Sequence, residues 1–227
     1  VIPVKIFGKD GIMMMALISA ISAWALYRSA KILEVKNAFM VIPFFLFQAF
    51  FFTISRSALT EPLAAAIFAL MFLFYLRKQF LYFAILGALI PLARLELSVF
   101  MVFWAYLLYK NGYWKYIFIF AIPTVLWSIG GTILDGDLFW LYEKTLGKDV
   151  GENRYGHTDF WHYFQRFAYV IGPIIFYFFF IGLMEKIKKL RSNLFIVGQF
   201  VVGFILYVLF SWKFNLGHAA GFLRHLA

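Results

Sequence analysis

The chain has 227 residues, is 64% hydrophobic and 14% charged, and carries a formal net charge of +10. A soluble domain of this length cannot hide so much apolar surface in one core, so the composition argues against an ordinary soluble enzyme. The basic excess sits in loops between apolar segments, which argues against nucleic acid as a partner, and the absence of cysteine excludes disulfides.

A bilayer solvates apolar side chains but leaves the backbone to satisfy its own hydrogen bonds, which permits only helices or a closed barrel. The apolar stretches lack the alternation of barrel strands. The pattern therefore predicts an all-α fold, a polytopic transmembrane helical bundle of about eight spans. In chain order the predicted segments are 12–33, 38–55, 58–76, 80–93, 97–109, 116–134, 167–184 and 194–211. Residues 1–227 read as a single transmembrane domain. The opening Val1-Ile2-Pro3 has neither Met nor a signal peptide, so the chain is expected to be an internal piece of a longer protein.

Basic residues set the expected orientation. One set of loops holds Arg28, Lys31, Lys36, Arg77, Lys78, Lys110, Lys115, Lys186, Lys188, Lys189 and Arg191, opposed only by Glu34 and Glu185. These loops are expected to be cytoplasmic. The long loop from Asp135 to Arg166 and the tail from Trp212 then lie outside or in a lumen.

Segments 80–93 and 97–109 are short, about 20 Å of helix each against about 30 Å of hydrocarbon. Fusing them into one long helix would send the cluster from Lys186 to Arg191 outside, against the charge bias. The segments are therefore expected to form a hairpin, with Pro91 helping to break the helix. Its turn, Ala93-Arg94-Leu95-Glu96, is expected below the outer membrane surface. Charges at that depth need a protein-lined or wet cavity, which makes Arg94 and Glu96 the leading candidates for function. The competing role is a structural ion pair.

On the same outer face, Arg56-Ser57-Ala58-Leu59-Thr60-Glu61-Pro62 opens the third segment. Thr60 is placed to cap the helix, Pro62 stands where a missing N–H costs nothing, and Glu61 complements the helix dipole. Arg56 and Glu61 remain candidates beside that structural account. The loop Arg154-Tyr155-Gly156-His157-Thr158-Asp159-Phe160-Trp161-His162-Tyr163-Phe164 mixes rings with polar groups, as suits a segment lying on the membrane. His157 and His162 have no third ligand at metal spacing, so no metal is assigned to them. Asp135 and Asp137 flank Gly136 as a turn. Arg224 and His225 stand where the tail returns toward the membrane, and a cationic pair there suits a lipid phosphate.

Several of these residues together carry a resemblance. They are the Ser55-to-Pro62 stretch, Leu92-Ala93-Arg94-Leu95-Glu96, Tyr155-Gly156-His157 with Trp161-His162-Tyr163-Phe164, and Gly221-Phe222-Leu223-Arg224-His225-Leu226. The chain resembles the GT-C superfamily of polytopic membrane glycosyltransferases, especially the lipid-linked-sugar mannosyltransferases of the dolichol and GPI pathways and their bacterial relatives. The resemblance implies transfer of a mannose-like sugar from a polyprenyl-phosphate donor to an acceptor on the non-cytoplasmic face. It implies a cavity lined by Arg94, Glu96, Arg224 and the His157–His162 loop. No cofactor is expected, with a divalent metal left open. The implied partners are the lipid-linked sugar, membrane lipids and other membrane subunits. In that family an acid early in the first outer loop activates the acceptor. Asp10 lies at the wrong end of that loop, so the catalytic base is expected upstream of Val1. Short loops and the lack of cysteine favour a bacterial plasma membrane over the endoplasmic reticulum. Two other readings fit the composition: a transporter or channel gated at Arg94–Glu96, and a catalytically silent scaffold subunit.

Overall fold

The computed structural model describes residues 11–55, 60–136, 161, 173–187 and 194–209. The described residues form helices and no strands, as the apolar patterning predicts. The α-helices in chain order are α1 (Gly11–Ile32), α2 (Val41–Leu46), α3 (Ala49–Ser55), α4 (Glu61–Leu76), α5 (Phe80–Ala93), α6 (Phe100–Lys110), α7 (Ala121–Asp135), α8 (Pro173–Ile187) and α9 (Leu194–Leu209). Short 3-10 segments lead into α2, α6 and α7, at Ala38–Met40, Leu95–Val99 and Trp114–Phe120.

The boundaries of the fourth segment match α5 residue for residue. The second segment differs from its expectation, because α2 ends at Leu46 and α3 begins at Ala49. Buried Gln48 explains the break: its side-chain Oε1 accepts the Phe51 backbone N–H, capping α3 from within an apolar run. Among the described residues, two stretches are long and apolar enough to cross a bilayer, Met13–Ile32 and Trp114–Leu134. Four more, Glu61–Leu76, Phe80–Ala93, Leu97–Lys110 and Leu194–Ile205, are apolar but shorter.

α1 packs along α4. Met15 and Ile18 cluster with Ala66, and Ala25 clusters with Ala69 and Leu73. Both residue series ascend together, so α1 and α4 run parallel. Alanines at the contact let the backbones approach, as between helices in membranes. Ser19, Ser22 and Ser29 are buried on α1, yet each hydroxyl donates to the carbonyl four residues back, at 2.9, 2.9 and 2.8 Å. That bond removes the cost of burying an unpaired hydroxyl.

The main core lies between α4, α5, α6, α9 and the Trp114–Phe120 segment, around the fully buried Trp104. Phe68 meets Trp104 edge-on at 5.4 Å, Phe100 stacks beside it at 5.9 Å and Phe120 closes at 6.4 Å. Gly87 on α5 makes room for this group, since a Cβ there would stand 2.8 Å from Phe120 and 3.2 Å from Trp104. The indole N–H donates to Oε1 of Gln199 on α9 at 3.3 Å. α9 lays two glycines under rings of α6, Gly198 under Phe103 and Gly203 under Phe100.

Three helix ends gather on one side of the bundle. The Phe80 and Tyr113 rings stack 4.5 Å apart, which joins the α4–α5 turn to the turn after α6. Because α1 and α4 run parallel, the end of α1 lies on that side too. All three turns close alike: the N–H groups of Val35, Gln79 and Tyr113 donate to the carbonyls of Ala30, Phe74 and Leu108. Glu34, Lys78 and Gly112 take the left-handed conformation this requires, with φ of 56°, 57° and 84°. The start of α9 is there as well, since Phe195 stacks on Tyr75 at 5.0 Å. The basic loops named above that fall within the described residues thus share one end.

Candidate functional site

At the opposite end, α4 begins and α5 finishes. Glu61 is the first residue of α4, with Pro62 next to it and buried, a position where the absent N–H breaks no helical bond. Thr60 does not cap this helix through its side chain, contrary to expectation. Its backbone is already helical, at φ −81° and ψ −13°, whereas a capping side chain needs extended backbone. α5 ends at Ala93, two residues after Pro91, and Arg94 leaves it extended at φ −154° and ψ 113°.

This geometry aims Arg94 at the start of α4. Its Nη1 lies 2.9 Å from Oε1 of Glu61, and the two side chains are only 10% and 11% exposed. Among the described residues the ion pair of Arg94 is with Glu61, across the two helices. Each charge also answers a helix dipole, the carboxylate at an N-terminus and the guanidinium at a C-terminus. The backbone of Glu96 lies in the Leu95–Val99 segment, and its side chain falls outside the described residues. Arg56, His157, His162, Arg224 and His225 also lie outside them. Of the candidate residues, the described structure brings together Glu61 and Arg94.

α5 and the rod from Trp114 to Asp135 run side by side from the basic end, with Gly87 facing Phe120. Beyond that contact α5 continues for roughly 10 Å of helix to Arg94, and the rod for roughly 21 Å of helix to Leu134. The last residues of the rod, Ile133 and Leu134, are 77% and 85% exposed. Gly136, left-handed at φ 73°, then ends the helix, as the expected turn requires.

Sequence reasoning missed Gln48 and Gln199. Each was signalled by an amide inside an apolar run, Phe-Phe-Leu-Phe-Gln-Ala-Phe-Phe-Phe and Phe-Ile-Val-Gly-Gln-Phe-Val-Val-Gly. Amides in such runs need partners, and both have them.

A guanidinium offers five N–H donors in a fixed fork that suits phosphate, and a carboxylate holds it in place. The chemistry of the arrangement suits an anion at this end of an apolar bundle. No family model, curated protein or solved structure matches this chain.

Proposed function

We propose that this chain forms part of a multi-pass membrane glycosyltransferase of the GT-C type, set in a bacterial plasma membrane. It takes a mannose-like sugar from a polyprenyl-phosphate donor on the non-cytoplasmic face. The observation that carries this reading is the Arg94–Glu61 pair, nearly buried where α4 begins and α5 ends in an apolar bundle. Exposed apolar side chains along Trp114–Leu134, among them Phe118, Ile122, Leu126 and Ile133, support a lipid surround.

In the proposed reaction the acceptor oxygen forms a bond to the anomeric carbon as the bond from that carbon to phosphate oxygen breaks. The acceptor proton passes to a carboxylate, and the phosphate leaves with the electron pair. Arg94 stabilises the charge that grows on the leaving phosphate, which is electrostatic catalysis of the oxyanion-hole kind.

The test separates this role from a structural one. In the double variant Arg94→Met, Glu61→Leu neither charge is left buried alone, so the fold should survive. Full-length protein is supplied with polyprenyl-phosphate sugar, and release of polyprenyl phosphate is followed. The expected result is a folded double variant with turnover lower by about 100- to 1,000-fold. Unchanged turnover removes Arg94 from the reaction. Absence of turnover in the unmodified protein with any lipid-linked sugar removes the reading itself. A transporter is the second reading, favoured by the break between α2 and α3, since interrupted helices line transporter binding sites.

A further inference from the structure

The basic end of the bundle carries cations that the proposed reaction does not use. Arg77 and Lys78 occupy the turn after α4, and Lys110 and Lys115 flank the turn after α6. The Phe80–Tyr113 stack holds these two turns side by side. All four cations are exposed, and among the described residues none is within ion-pair distance of an acid. Four like charges held on adjoining turns repel one another, so this end favours an anionic ligand.

The surroundings specify which anion. Within two helical turns of these cations along α5, α6 and the Trp114–Phe120 segment, exposed side chains are aromatic and aliphatic. Tyr82, Tyr109 and Trp114 are 54%, 70% and 51% exposed, and Leu81, Ile85 and Phe118 continue the apolar strip. A free phosphate has no use for such a strip. A phospholipid fits both parts, with its headgroup phosphate among the cations and its acyl chains along the strip. Tyr and Trp at the border match the amphipathic layer between them.

We propose that the Arg77–Lys78 and Lys110–Lys115 turns together form a binding site for anionic phospholipid headgroups on the cytoplasmic leaflet. The proposal rests on the membrane-spanning part of the reading above and is independent of the sugar chemistry. Attraction of about fivefold per cation is the ordinary scale for basic residues at an anionic surface.

The experiment places the full-length protein in nanodiscs of phosphatidylcholine mixed with phosphatidylglycerol. Tryptophan quenching is read with bromine on the acyl chains of one lipid or the other. Extraction with alkaline carbonate is run first, and release of the protein into the soluble fraction would overturn the membrane reading on its own. For protein that stays in the membrane, brominated phosphatidylglycerol should quench more than brominated phosphatidylcholine at low salt. That preference should fade at high salt, a readout that needs no variant. It should also fall by at least fivefold in R77Q/K78Q/K110Q/K115Q, whose turns lie outside the aromatic core. Equal quenching by both lipids, or a preference unchanged by salt and by the four substitutions, would overturn the proposal.

Discussion

At the scale of single residues, the left-handed turn positions offer a direct test of the fold. Glu34 has φ 56° where Gly112, in an equivalent turn, has φ 84°. A side chain in that conformation costs about 1 kcal/mol, which glycine avoids, although glycine is also the more flexible residue when unfolded. Glu34→Gly is therefore expected to raise stability by up to about 1 kcal/mol, seen as a higher midpoint in a thermal or denaturant titration. A lower midpoint would mean the turn after α1 is not closed as described. The Arg94–Glu61 pair makes the opposite prediction. Removing one partner, as in Arg94→Met alone, leaves a carboxylate nearly buried without that partner and should cost about 3–5 kcal/mol. The double variant Arg94→Met, Glu61→Leu should recover most of that loss. Both residues were legible in the sequence as candidates, but their pairing was not. Glu61 lies 33 residues away in the chain, and only the way α5 ends brings the guanidinium to the start of α4.

At the scale of elements, α5 was legible because Gln79 and Arg94 bound an uninterrupted apolar run, with Pro91 marking its close. The break between α2 and α3 was not, because hydropathy averages over one buried amide. What Gln48 does depends on the N–H it faces, and that is a matter of geometry rather than composition. The docking of α9 on α6 was hidden for the same reason. Its specificity lies in two glycines beneath two rings and in one amide facing one indole. A Cβ on Gly198 would sit at 2.5 Å from the Phe103 ring, closer than packed atoms allow. Gly198→Val should therefore displace α9 and destabilise the protein by about 1–3 kcal/mol, the usual cost of overpacking. The same residue on the open face of α8, as in Gly182→Val, meets nothing within 4 Å and serves as the control. Equal midpoints for the two variants would show that α9 does not pack on α6 through its glycines.

At the scale of the whole molecule, the charge asymmetry and the helix packing lead to one topology by separate routes. The charge argument uses loop composition alone. The packing argument uses the parallel run of α1 and α4, the stack of Phe80 on Tyr113 and the stack of Phe195 on Tyr75. Each places the ends of α1, α4 and α6 and the start of α9 together, opposite Glu61 and Arg94. The chain has no cysteine, so single cysteines can report the sidedness of each loop without background. Cysteines replacing Lys78 and Lys189 should react with a membrane-impermeant maleimide only after the membrane is opened, and one replacing Asp149 should react in intact cells. Lys189 and Asp149 extend the test beyond the described residues, to loops that the charge argument alone assigns. Labelling of positions 78 and 189 from opposite sides would contradict the packing of Phe195 against Tyr75. Labelling of 149 and 189 from the same side would leave the packing intact and overturn the charge-based assignment of the long loop.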